Sequence, residues 1–275
     1  MTSTRRPWSR EETLLALNLY CRIPFGRQHS KAEEVIELAT AIGRTPGSVA
    51  MKLNNLTSLD PDEQARGVKG LSGASRLNRD VWDDLHQNWE CVAAESESLW
   101  ERIVAQNKTL SLPATGEMIG GKALNDDIPS STWTGITEDT QTVTVRLAQS
   151  FFRRTVLAAY VGRCCISGIP IQELLVASHI LPWAAYPEQR INPCNGLCLS
   201  RLHDAAFDRG LITFDEHYRL VLSKKIKDHL TNESIRLNFT IHEGEMLQLP
   251  EKFYPDKHFL SHHRESIYCS GVASK

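Results

Sequence analysis

The stretch NPCNGLCLSRLHDAAFDRGL, residues 192–211, decides how the chain is read. Its opening, NPCNG, is turn chemistry and carries Asn195. Residues 200–208 read as a short helix bearing His203. Just upstream, the apolar run in LLVASHILPW reads as a β-strand that ends in His179. Downstream, GLITFDEHYRLVLS places two β-like runs around a polar centre and reads as a hairpin. Before all of these, TVRLAQSFFRRTVLAAY (144–160) has helical periodicity, with Leu147, Ala148, Phe151, Phe152, Val156 and Ala159 on its apolar side. The order helix, strand, turn, helix, hairpin predicts an α+β domain built around His179, Asn195 and His203.

Taken singly, each of these residues has an ordinary explanation. A histidine ending an apolar strand is more often structural, and an asparagine before a helix more often serves a turn. Their joint order points to chemistry. Phosphodiester hydrolysis needs a base to activate water, a group that holds the base in one orientation, and a cation to offset charge on the phosphate. A neutral imidazole accepts a proton near pH 7. A strand-borne histidine, a loop asparagine and a helix-borne histidine supply one residue for each task.

The segments RLAQSFFRRTVLAAYVGRCCISG (146–168), ASHILPW (177–183), NPCNGLCLSRLHDAAFDRGLI (192–212) and FLSHHRESIY (259–268) resemble the HNH (ββα-metal) endonucleases of restriction type. The resemblance runs over roughly residues 143–268 and implies a metal-dependent DNA endonuclease, with double-stranded DNA as partner and a defence role. It assigns His179 as general base, Asn195 as the residue that orients it, and His203 as metal ligand. Mg2+ is the ion first expected, with Mn2+ or Ni2+ as alternatives. One position departs from the pattern. Many HNH enzymes carry Asp or His just before the base, as a further ligand, and here Ser178 stands there. A hydroxyl is a poor ligand for a hard divalent cation, so water, DNA phosphate, Asp204 or Asp208 would have to complete the sphere. Some HNH proteins also hold a structural zinc through two CxxC pairs. Cys164, Cys165, Cys194 and Cys198 have no such spacing and read as small buried thiols.

The other half of the chain reads as helical. Ser9 with Glu12, and Ser30 with Glu33, are capping-box signatures. Val35, Leu38, Ala39 and Ile42 share one helical face, and Gly43 stands where a helix ends. Thr45-Pro46 opens the next helix. AEEVIELATAIGRTPGSVAMKLNNL thus has the layout of a helix-turn-helix, and with PWSREETLLALNLY before it resembles Myb-like three-helix modules. That resemblance makes Arg44, Ser48, Lys52 and Asn55 candidate DNA contacts, although packed helices with a glycine turn also occur in protein-binding domains. In the nuclease half, Arg190 lies between base and asparagine and is a candidate phosphate contact. A helical stretch over about 78–106 holds Trp82, Trp89 and Trp100 at core spacing. The expected organisation is a helical DNA-binding or sensing domain over 1–109, a linker rich in Pro, Gly, Ser and Thr over 110–141, and the nuclease domain over 142–275.

Bulk composition limits these readings. With 41% hydrophobic and 23% charged residues the chain is of globular type. A net charge of -2 gives no general attraction to nucleic acid, so DNA binding must rest on local patches. The seven cysteines and an N-terminus without an apolar signal core fit a cytoplasmic setting, and no apolar run is long enough to span a membrane. Two other functions fit the same motifs: a DNA-binding regulator with an inactive HNH module, favoured by Ser178, and a signal-activated effector nuclease. Cutting both strands with one site per chain would call for a homodimer.

Overall fold

The computed structural model describes residues 6–106 and 137–268. Helix α1 (Arg10–Arg22) starts at a reciprocal capping box, in which the Ser9 hydroxyl accepts from the Glu12 N–H and the Glu12 carboxylate accepts from the Ser9 N–H. Leu14, Leu15, Ala16, Leu17, Leu19 and Tyr20 are all buried, so the middle of α1 is buried around its circumference. A helix of that kind lies inside a fold. It is enclosed by α2 (Glu33–Ala41), α3 (Pro46–Thr57), α5 (Arg76–Gln87), α6 (Trp89–Gln106) and α7 (Thr137–Ala159). The short α4 (Pro61–Ala65) follows α3 and is capped by Asp60.

The turn between α2 and α3 closes as its sequence demands. Gly43 takes φ +64°, and the Arg44 N–H reaches back to the Ala39 carbonyl, satisfying an end-of-helix acceptor. The Thr45 hydroxyl then caps α3, with Pro46 in its first turn. One expectation is corrected. Ser30 and Glu33 form no capping box, because the Ala32 N–H closes a tight turn onto the His29 carbonyl and moves the helix start to Glu33. The stretch read as helical over about 78–106 is helical, but as two helices. Asn88 leaves helical geometry (φ -150°, ψ 76°), and its side chain caps the new start by accepting from the Cys91 N–H. The three tryptophans of these helices are buried.

Of the linker expected over 110–141, residues 110–136 lie outside the described residues, and 137–141 open α7. Helix α7 packs against α6 and α1 on one side and against a two-stranded antiparallel sheet on the other. That sheet pairs β1 (Leu175–His179) with β2 (Gly196–Ser200), setting Leu175 opposite Ser200 and His179 opposite Gly196. Helix α8 (Arg201–Asp208) leaves β2 directly, with Ser200 as its cap. It stops at Gly210 (φ +63°), where the Leu211 N–H bonds the Ala206 carbonyl. A second hairpin pairs β3 (Ile212–Phe214) with β4 (Leu220–Leu222). The short helices α9 (Lys224–Lys227) and α10 (Glu233–Asn238) and the terminal α11 (Lys257–Ser266) complete the fold. The architecture is therefore α+β, a helical N-terminal half joined to a small-sheet ββα unit.

Packing crosses between the two halves. The buried Lys252 ammonium donates to the carbonyls of Tyr20 and Ile23 at the C-terminal end of α1, where helix acceptors lack partners. The fully buried Glu97 of α6 takes ion pairs from Arg22 of α1 and Arg154 of α7. A single apolar core runs from Leu14 to Leu260. No helix among the described residues is long and apolar enough to cross a membrane.

Candidate active site

Three contacts fix the His179 imidazole at the end of β1. Its Nε2 lies 2.8 Å from the Arg190 carbonyl oxygen. Its face stacks on the Phe152 ring of α7, with centroids 4.2 Å apart and planes inclined by 9°. Its edge meets Trp183 at 5.2 Å. A carbonyl only accepts, so Nε2 bears the hydrogen and Nδ1 holds the lone pair. Burial lowers the pKa of the ring below the usual histidine value, outweighing the opposite effect of the Arg190 carbonyl. His179 is thus a neutral, oriented imidazole at pH 7, with a basic nitrogen of defined position.

The Asn195 side chain makes its hydrogen bonds elsewhere than to His179. It is buried, its Oδ1 accepts from the Leu181 N–H (2.8 Å), and its Nδ2 donates to the Gln189 carbonyl (3.0 Å). These bonds clamp both ends of the 180–190 loop. Gln189 precedes Arg190, whose carbonyl holds the His179 ring, so one peptide link separates the Asn195 bond from the His179 bond. The Arg190 side chain serves the same loop. Its Nε donates to the Trp183 carbonyl (2.7 Å), and its guanidinium sits 5.1 Å from the Trp183 ring centroid.

His203 is placed differently. It is 1% exposed, and both ring nitrogens are engaged. Nε2 lies 2.8 Å from the Asn238 carbonyl of α10, and so carries a hydrogen. Nδ1 faces the Ser200 hydroxyl at 3.0 Å and the Cys164 thiol at 3.4 Å. Burial disfavours charge on both partners, yet their contact outweighs it, raising the His203 pKa and lowering that of Cys164 to about 6. Both His203 nitrogens thus face protein partners. Ser178, next to the base, is buried, and its hydroxyl has no hydrogen-bond partner among the described residues. No group of three or more His, Cys, Asp or Glu side chains among the described residues is gathered to hold a metal ion. Cys164, Cys165 and Cys198 are buried free thiols and Cys194 a half-buried one.

The other candidate contacts divide in the same way. The Arg44 guanidinium is spent on the carbonyls of Arg6 and Pro7 and the Glu12 carboxylate, and lies 4.3 Å from the Trp8 ring centroid. Lys52 is buried against Trp8 and Asn78. Ser48 and Asn55 remain half-exposed on α3, so the outer face of that helix presents no cation.

Residues 164–215 match the family model for HNH endonucleases. This segment of the chain is similar to the HNH endonucleases. The match spans β1, β2, α8 and β3, and takes in His179, Asn195 and His203. An HNH endonuclease domain carries nuclease, hence hydrolase, activity and implies a DNA substrate. HNH nucleases generally use divalent metal ions; in this structure both ring nitrogens of His203 face protein partners. No curated protein matches the chain. Phe152 and Trp183, which hold the His179 ring, are not singled out as site residues in the sequence. Phe152 comes from α7, before the matched segment, and in the sequence it is one apolar helix residue among several.

Proposed function

We propose that the protein is a restriction-type endonuclease, cytoplasmic and acting in defence, that hydrolyses phosphodiester bonds of double-stranded DNA. The observation that carries this reading is the His179 ring, held neutral with Nδ1 as its basic atom. Nδ1 takes a proton from water, the water oxygen attacks the phosphorus, and the bond to the 3′ oxygen breaks. Asn195 positions the loop whose carbonyl holds the ring, and Arg190 puts a cation on that loop for a phosphate. A divalent ion is part of this proposal, Mg2+ first and Mn2+ or Ni2+ as alternatives, with ligands other than His203 in its present setting. A two-fold dimer would bring two sites to the two strands.

The role of the N-terminal half has two readings. Its helix-turn-helix layout supports duplex docking through Ser48 and Asn55. The sequestered Arg44 and Lys52 favour the second, an effector nuclease whose N-terminal half senses a partner or small signal, since phosphate binding needs exposed cations. Introducing negative charge with Ser48→Asp and Asn55→Asp separates them, weakening duplex binding only if α3 enters a groove.

The deciding test is cleavage of plasmid and phage DNA, modified and unmodified, with Mg2+, Mn2+, Ni2+ or EDTA, by wild type and His179→Ala. Metal-dependent cutting by the wild type alone supports the proposal. Equal cutting by both proteins, or DNA binding without cutting under every metal, would remove it.

A further inference from the structure

We infer that Phe152 is a positioning residue for the base, supplied to the HNH site by a helix that lies before the residues matched by the family model. This rests on the reading of His179 as general base. The hydrogen bond to the Arg190 carbonyl fixes one atom of the imidazole but leaves the ring free to rotate about that bond. The plane is set by what lies against its face, and that is the Phe152 ring, nearly parallel at 4.2 Å. Trp183 closes one edge at 79° to the imidazole plane. Carbonyl, face and edge together leave Nδ1 one direction to point.

The opposite strand is built to admit this ring. Gly196 pairs with His179 across the sheet. A Cβ at Gly196 would lie 2.4 Å from the Val156 Cγ2 and 3.0 Å from the Phe152 Cζ. The first is closer than packed atoms approach and the second is tight, so a side chain there would force Val156 and the Phe152 ring of α7 to shift. Gly196 has an ordinary extended conformation (φ -121°, ψ 139°), so close approach is the reason for glycine here.

Phe152 is also anchored from behind. Its neighbours on α7, Ser150 and Arg154, bond the buried Glu97 of α6 at 3.3 and 2.7 Å. The face of α7 opposite the stack is thereby tied to the N-terminal half. The plane of the base is set by a helix that both halves of the molecule hold.

The test uses the full chain with ring-labelled histidine. In wild-type protein the His179 ring protons, lying over the Phe152 face, are shifted upfield in the NMR spectrum. Phe152→Leu and Phe152→Met keep most of the apolar volume and remove the ring. In either folded variant the upfield shift is lost and kcat for plasmid cleavage falls about 10- to 100-fold, because a displaced base loses its alignment. KM for DNA stays within about two-fold, because no substrate contact is removed. Wild-type His179 protons without an upfield shift would overturn the stack directly, even if both variants failed to fold. Folded variants with unchanged kcat would overturn the positioning role. If His179→Ala itself cuts normally, the reading of His179 as base has failed instead, and the ring-proton shift still reports whether the stack exists.

Discussion

Replacing Asn195 tests the loop that holds the base. In Asn195→Ala the Leu181 N–H loses its acceptor and the Gln189 carbonyl loses its donor. Leu181 is buried, so its orphaned N–H costs about 1–3 kcal/mol. Gln189 is half-buried, and water can partly replace the lost donor, placing its share near the lower end of that range. The sum is about 2–4 kcal/mol, read as a lower midpoint in urea at unchanged slope. Asn195→Asp is the more informative variant. Its carboxylate still accepts from Leu181 but turns a second oxygen toward the Gln189 carbonyl, so it is at least as destabilised at pH 7. It should recover as the pH falls and the protonated carboxyl donates to that carbonyl. Hydrogen exchange at the Leu181 amide should quicken in the alanine variant, and cleavage should fall because the Arg190 carbonyl no longer holds Nε2. An alanine variant within about 0.5 kcal/mol of wild type, the range of an unremarkable surface change, would refute the clamp.

Three further outcomes follow from buried polar groups. His203→Asn should cost on the order of 2 kcal/mol, since a buried ring with both nitrogens bonded is removed, while calorimetric Mn2+ affinity stays unchanged; loss of metal binding at full stability would instead make His203 a ligand. His263 is stacked on Phe207, and burial lowers its pKa from 6.5 to about 4. The folded state then binds fewer protons than the unfolded one below pH 6.5, so stability falls as pH drops from 6.5 toward 4, by ~3 kcal/mol from this residue; His263→Asn should flatten that slope, and an identical pH profile would discount the residue. Lys252→Met strips charged donors from the Tyr20 and Ile23 carbonyls, costing on the order of 2–4 kcal/mol after relief of the buried charge; because the core is continuous, tryptophan fluorescence and cleavage should be lost in one transition, and two separate transitions would show the halves to be independent.

Much of this molecule follows from local chemistry. The capping box at Ser9, the Gly43 turn, the Thr45-Pro46 start of α3 and the strand–turn–helix around Asn195 are settled within a few residues, where backbone donors, acceptors and φ limits act. The α+β class and the residues of the HNH motif are legible for the same reason. Local rules failed at Ser30, where a tight turn from His29 takes the place of a capping box, and they did not mark Asn88, where a side-chain cap divides one helical stretch into two helices. What only the tertiary structure decided is how each polar side chain is spent. His179 and His203 look alike in sequence, yet one keeps a basic nitrogen while the other is bonded on both sides by Asn238, Ser200 and Cys164. Arg44 and Lys52 look available for phosphate, yet packing against Trp8 claims both. Phe152 looks like ordinary core, yet it lies flat on the base. Hydrogen-bond capacity, burial and ring stacking are properties of neighbours brought together from distant parts of the chain, and no local pattern in the sequence encodes which neighbour arrives.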